Sequence, residues 1–282
     1  MSVVTEPRPA SGASAAGPKP DLRVTGRRVL RSESTKLWSL RSTWITLGLG
    51  LLFLVAFGII AALRYRSSVT SGRQLDPDFA DATALSLSLF GVPLSQLALG
   101  VLGVLVTAGE YSTGLIRSTL AAVPRRLPVL WSKAAVYGVL ALAIALVGVF
   151  ATFLVDSAIL DATPAAMTIS GSGVVRSLLG ATAYLGLVGV IGVALGAMLR
   201  SVAGAISALV ATLMLVPGLI SLLPTAWRNA IQPYLPSEAG QSMYVLHHGP
   251  HTLSPGVGLL VFAGWTALAL AGAAWHLSHS DA

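Results

Sequence analysis

Few residues in this chain have types and spacing suited to chemistry. Glu110, Arg117, Arg125, Arg126 and Lys133 gather in the stretch 109–133, GEYSTGLIRSTLAAVPRRLPVLWSK. One acid followed by four bases suits ion pairing, either with acids of a partner or with lipid phosphates. Asp76, Asp78 and Asp81 form a second group, D-P-D-F-A-D. It lacks the turn glycine and distal glutamate of a calcium loop and reads as a solvated loop. His247, His248 and His251 form a third, HHGPH, with neither helical i, i+4 spacing nor an HExxH motif. A structural or solvated role fits these histidines. A metal-dependent intramembrane hydrolase or transferase is the alternative they leave open. Gln96 stands alone as an amide inside an apolar run. It must face either a hydrogen-bonding neighbour helix or an aqueous path.

What is missing narrows the reading further. There is no GxxxxGK[ST] loop for a nucleotide, no GxSxG elbow and no dinucleotide glycine fingerprint. No catalytic residue and no metal site can be assembled, so the chain is not read as an enzyme. The absence of cysteine removes thiol chemistry and disulfides.

The elements that must position these residues are membrane spans. The chain is 54% hydrophobic, 10% charged and has a mean hydropathy of +0.78, where soluble domains carry about 25% charged residues. Six runs free of Asp, Glu, Lys and Arg are long enough to cross the hydrocarbon core as helices: 44–63, 85–108, 134–155, 178–199, 202–223 and 256–275. The fold class expected is all-α, a polytopic membrane protein of six transmembrane helices. With the N-terminus inside, 13 of the 18 Lys and Arg fall on inner segments and 5 on outer ones. That is the positive-inside pattern, and it places both termini in the cytoplasm. The net charge of +7 thus reflects topology and not a nucleic-acid partner. Because the spans hold no acid, an ion-driven carrier is not expected.

Residues 1–26, rich in Ser, Ala, Pro and Gly, read as a disordered cytoplasmic tail, with the membrane domain over 27–282. Residues 27–43 read as an amphipathic helix on the membrane surface, with Leu30, Leu37 and Leu40 on one arc and Arg27, Arg28 and Arg31 opposite. Glu33 falls inside the apolar arc. It either reaches past that arc to water or pairs with a cation from 109–133. Pro93 is expected to kink the second span. Gly192 and Gly196 form a GxxxG pair, and Gly204 with Ala208 a similar one, favouring close helix packing within the chain. Residues 224–255, with Trp227, Tyr234 and Tyr244 among prolines, read as short interfacial or re-entrant pieces.

Taken in order, Glu110 at the end of the second span, Gly114, a short helix, Pro124, Arg126 and Lys133 at the start of the third resemble permease subunits of ABC exporters of the ABC-2 class. SESTKLWSLRSTW over 32–44, which holds Glu33, Lys36, Trp38 and Arg41, is similar to the amphipathic helix that precedes the first span in such permeases of high-GC Gram-positive bacteria. The likeness runs from about Arg27 onward. It implies that Glu110, Gly114, Arg117, Pro124, Arg125, Arg126 and Lys133 form a coupling helix docking a separate ATPase subunit, which holds ATP and magnesium. This chain itself then binds no cofactor. It further implies a second permease chain, a location in the plasma membrane, and export of a hydrophobic or amphiphilic compound such as an antibiotic, drug or lipid, along a path that Gln96 could line. The residues agree with such a helix, since Leu115, Ile116, Leu120 and Val123 give it an apolar side and Glu110 would suit its N-terminal end. A membrane subunit that only anchors or senses is the remaining alternative.

Overall fold

The computed structural model describes residues 26–39, 41–75, 77–114, 126–247 and 249–279. The described residues are helical and loop, without strands. Six of the helical stretches are long and apolar enough to cross a membrane. A short helix α1 (Gly26–Ser39) precedes α2 (Arg41–Thr70), the first long helix. The second is broken into α3 (Ala84–Ser88) and α4 (Val92–Ser112). Then come α5 (Arg126–Ile159) and α6 (Val174–Leu199). The fifth consists of α7 (Val202–Val210), a π-helical turn over Ala211–Leu215, and α8 (Val216–Ser221). Two short helices, α9 (Thr225–Ile231) and α10 (Pro236–Ser242), lead to the last, α11 (Pro255–His279).

These bounds depart from the sequence expectation where charge was taken to end a span. The surface helix expected over 27–43 is α1 alone, and Arg41 already belongs to the first long helix. The third runs from Leu127 to Ile159 and so contains both Lys133 and Asp156. A span delimited by the nearest charges is too short here, because both groups are buried in the bundle.

The bundle is built around α6, which packs against α4, α5 and α11, while α2 covers α4 and α5. Close approach of α4 and α6 depends on glycine. A Cβ on Gly192 would overlap the carbonyl oxygen of Gly100, and one on Gly103 that of Gly189. The GxxxG pair therefore packs within the chain, as expected. Gly204 does not share that role, since a Cβ there would meet only Ser201.

Two irregularities have local causes. Between α3 and α4 the helix is interrupted at 89–91, and Pro93 sits in the first turn of α4, where its missing N–H costs nothing. The expected kink is thus a full break. A Cβ on Gly91 would run into the backbone of Phe53 and Leu54 on α2. In the fifth span the π turn lies just ahead of Pro217. A proline ring clashes with the carbonyl four residues back, and widening the preceding turn relieves it.

Contacts fix which helix ends lie together. The end of α4, the start of α5, the end of α6 and the end of α11 meet through Tyr111, Leu130, Ala197 and Leu277. The start of α1 and the end of α11 therefore share one face of the bundle, which also carries the charged cluster described next. At the opposite face the Ala84 N–H donates to the Ala165 carbonyl at 2.8 Å, and α10 wedges between α6 and α11. Gly240 lies against the Tyr184 ring and Gly258 against Ser242.

Candidate functional site: a buried ion cluster flanking residues 115–125

On α1, Glu33 and Leu37 lie one turn apart and both are buried, while Arg31 and Trp38 are exposed. This face packs on α5. The Trp44 indole donates to the Trp38 carbonyl at 3.2 Å, and the two rings meet edge to face at 4.9 Å. That contact ties the end of α1 to the start of α2.

Glu33 is not solvated. Lys133 donates to Glu33 Oε2 at 2.7 Å, and its Nζ lies 2.7 Å from Glu110 Oε1. Lys36 closes the ring, at 3.1 Å from Glu33 Oε1 and 3.1 Å from Glu110 Oε1. Among the described residues two carboxylates and two ammonium groups thus alternate, each touching both of its opposites. The side chains of Glu33 and Lys133 are each 3% exposed, that of Glu110 12% and that of Lys36 40%. Buried charges are tolerated only with such pairing. Burial alone pulls Lys36 down, yet attraction to Glu33 and Glu110 outweighs it and holds the amine above its usual value of 10.5.

Glu110 corrects an expectation. It lies in the last turn of α4, not at a helix start. Carbonyls there disfavour an acid, and the two lysines offset that. Its other oxygen, Oε2, is buried and has no hydrogen-bond partner among the described residues. Beyond it Gly114 adopts φ +74°, the left-handed conformation that terminates α4. Beside the cluster the Arg200 guanidinium stands 5.4 Å over the Tyr111 ring, fastening the turn between α6 and α7 to α4.

The remaining residues singled out from sequence are placed as follows. Arg117, Pro124 and Arg125, with the apolar side formed by Leu115, Ile116, Leu120 and Val123, lie outside the described residues. Arg126 opens α5. Arg41 is exposed at the start of α2. Gln96 is buried and accepts a hydrogen bond from the Tyr184 hydroxyl. That bond joins α4 to α6. His247 and His251 are exposed, and His248 lies outside the described residues. Among the described residues no three His, Asp or Glu side chains converge on a metal-sized site.

Asp156 was missed by sequence reasoning. It is fully buried in α5, and neither carboxylate oxygen has a hydrogen-bond partner among the described residues. Its surroundings are Thr152, Gly58 of α2 and the Ser88 carbonyl. The helix that carries the third apolar run thus continues past 155 and holds this acid within it. The only signal was its place just beyond an apolar run, where solvent exposure is the ordinary reading.

No protein-family model matches this chain, and a search of the curated proteins finds no match to it.

Proposed function

We propose that this chain is the membrane-spanning permease subunit of an ATP-driven transporter of the ABC-2 type. In this reading it lies in the plasma membrane with both termini cytoplasmic and pairs with a second permease chain. A separate ATPase docks on the segment between α4 and α5, and a hydrophobic or amphiphilic compound is exported. The observation that carries the reading is the ion ring. It joins α1, the end of α4 and the start of α5, so both flanks of residues 115–125 are fastened to the helix that leads into α2. A displacement imposed on 115–125 by a partner is then shared by three elements instead of being lost in a loop.

The test is recovery of the tagged chain from its host in mild detergent, with ATP hydrolysis assayed in the eluate. An ATPase is expected to co-purify, and Glu110→Ala combined with Arg126→Ala is expected to weaken its retention or uncouple it from transport. Recovery of the chain alone, folded and without hydrolysis, overturns the reading.

Asp156 favours a second reading, an ion-driven carrier, because an intramembrane carboxyl is the group such carriers use. The two separate cleanly. An uncoupler that stops transport in ATP-replete vesicles selects the carrier, and ATP depletion that stops it with the gradient intact selects the ATP-driven permease.

A further inference from the structure

At the face opposite the ion ring, a cavity of about 1120 Å³ opens between α2, the α3–α4 break and the segment after α10. Its volume slightly exceeds that of most pockets that hold small ligands, about 300–1,000 Å³. Long helices contribute Phe57 and Leu94 to its wall, and Phe90 comes from the break between α3 and α4. Its rim comes from connecting segments and carries Asp81 and His247. Four aromatic rings, Phe57, Tyr65, Phe90 and Tyr244, line it.

Asp81 is, among the described residues, the one carboxylate on that lining, and it is exposed. Among the described residues it has no ion-pair partner. Arg176, the cation behind this wall, donates to the Val245 carbonyl and does not line the cavity. A carboxylate at a wet rim above a space walled by aromatic faces is a combination with a defined preference. Ring faces attract cations and shed anions, while their bulk takes up apolar surface.

We infer that this cavity binds a hydrophobic cation, with the charge toward Asp81 and the apolar body against Phe57, Phe90 and Leu94. The break between α3 and α4 contributes Leu89 and Phe90 to its wall. The binding step stands by itself. Only the identification of the bound compound as cargo rests on the transporter reading above.

The experiment uses the purified full-length chain in lipid nanodiscs and two ions of matched shape and opposite charge, tetraphenylphosphonium and tetraphenylborate. Equilibrium dialysis of labelled tetraphenylphosphonium is expected to show a saturable component. Tetraphenylborate should not displace it, and Asp81→Asn should weaken it about tenfold, as for loss of one charge contact at a partly wetted rim. Leu94→Trp, which puts a bulkier side chain on the wall the apolar body would rest against, should weaken it further. Asp161→Asn, an exposed acid outside the lining, should leave it unchanged. Asp81 is at the surface, so its variant separates binding from folding even if Leu94→Trp fails to assemble. Equal binding of the two ions, unchanged binding in Asp81→Asn, or no saturable component overturns the inference. Loss of ATPase association leaves this result untouched, so failure here and failure of the transporter reading are distinguishable.

Discussion

Lys133 and Glu33 stand 100 positions apart in the chain and meet at 2.7 Å, both side chains buried. Without the other, each would keep only one partner in the ring, Lys36 for Glu33 and Glu110 for Lys133, and the cluster would carry an uncompensated charge. Removing one partner of a buried pair typically costs about 3–5 kcal/mol, because the survivor keeps its desolvation without its counterion. Lys133→Met and Glu33→Gln are therefore each expected to lower the unfolding temperature markedly in detergent. The double variant should lose less than the sum of the two. Strict additivity would mean that the two groups do not interact.

A pH dependence follows from Lys36. Its folded value lies above the unfolded 10.5 because Glu33 and Glu110 favour the charged amine more than burial disfavours it. A raised cationic group stabilises fully below its unfolded value and loses that contribution as pH rises through the folded one. The gap in unfolding temperature between the wild-type chain and Lys36→Met should stay constant from neutral pH to about 10.5 and narrow beyond it. Since this side chain is 40% exposed, added salt should shrink the gap at every pH. A gap that widens above 10.5 would contradict the assignment.

Asp156 should behave in the opposite way to Glu33. Neither of its oxygens is paired among the described residues, so a neutral amide of the same shape forfeits no ion pair. Asp156→Asn is expected to keep the wild-type unfolding temperature or raise it slightly, within about 1 kcal/mol. A large loss of stability would reveal a partner for the carboxyl. A folded but transport-dead variant would mark it as functional.

Glycine at the α4–α6 seam gives a further contrast. Gly192→Ala places a methyl on the Gly100 carbonyl, and overpacking of this kind costs about 1–3 kcal/mol. Gly204→Ala meets only Ser201 and should be neutral or stabilising by about 0.5–1 kcal/mol, as alanine replaces glycine inside a helix. Both are read by thermal unfolding in one detergent.

The two extremes of legibility in the sequence are the spans and the cavity. Long apolar runs show themselves, because crossing a bilayer imposes length and composition on a single segment. Glu33 was also visible, as the one acid on an apolar arc, although its partner was only one of two open possibilities. The lengths of the spans misled at Lys133 and Asp156, since charge marks a helix end only when nothing inside the bundle receives it. The second span breaks where Gly91 meets α2 and just ahead of Pro93, and the π turn lies just ahead of Pro217; a proline in sequence does not say whether a helix bends, widens or stops. The cavity was hidden altogether. Asp81, Phe57 and Tyr244 belong to distant parts of the chain, and nothing local to any of them announces the others.

The ion ring also sets an order of assembly. Glu33 leaves the ribosome 100 residues before Lys133, so when α1 and α2 first reach the bilayer the acid has no buried cation to receive it. Among the described residues Lys36 is its one early companion, and that amine is 40% exposed. α1 must therefore wait at the headgroup layer through insertion of α2, α3 and α4, and can settle onto the bundle only when α5 arrives. A nascent chain halted before Lys133 would keep α1 open to protease, and one released just beyond α5 would close it. The docking of the first helix is thus a late checkpoint on the synthesis of the third span.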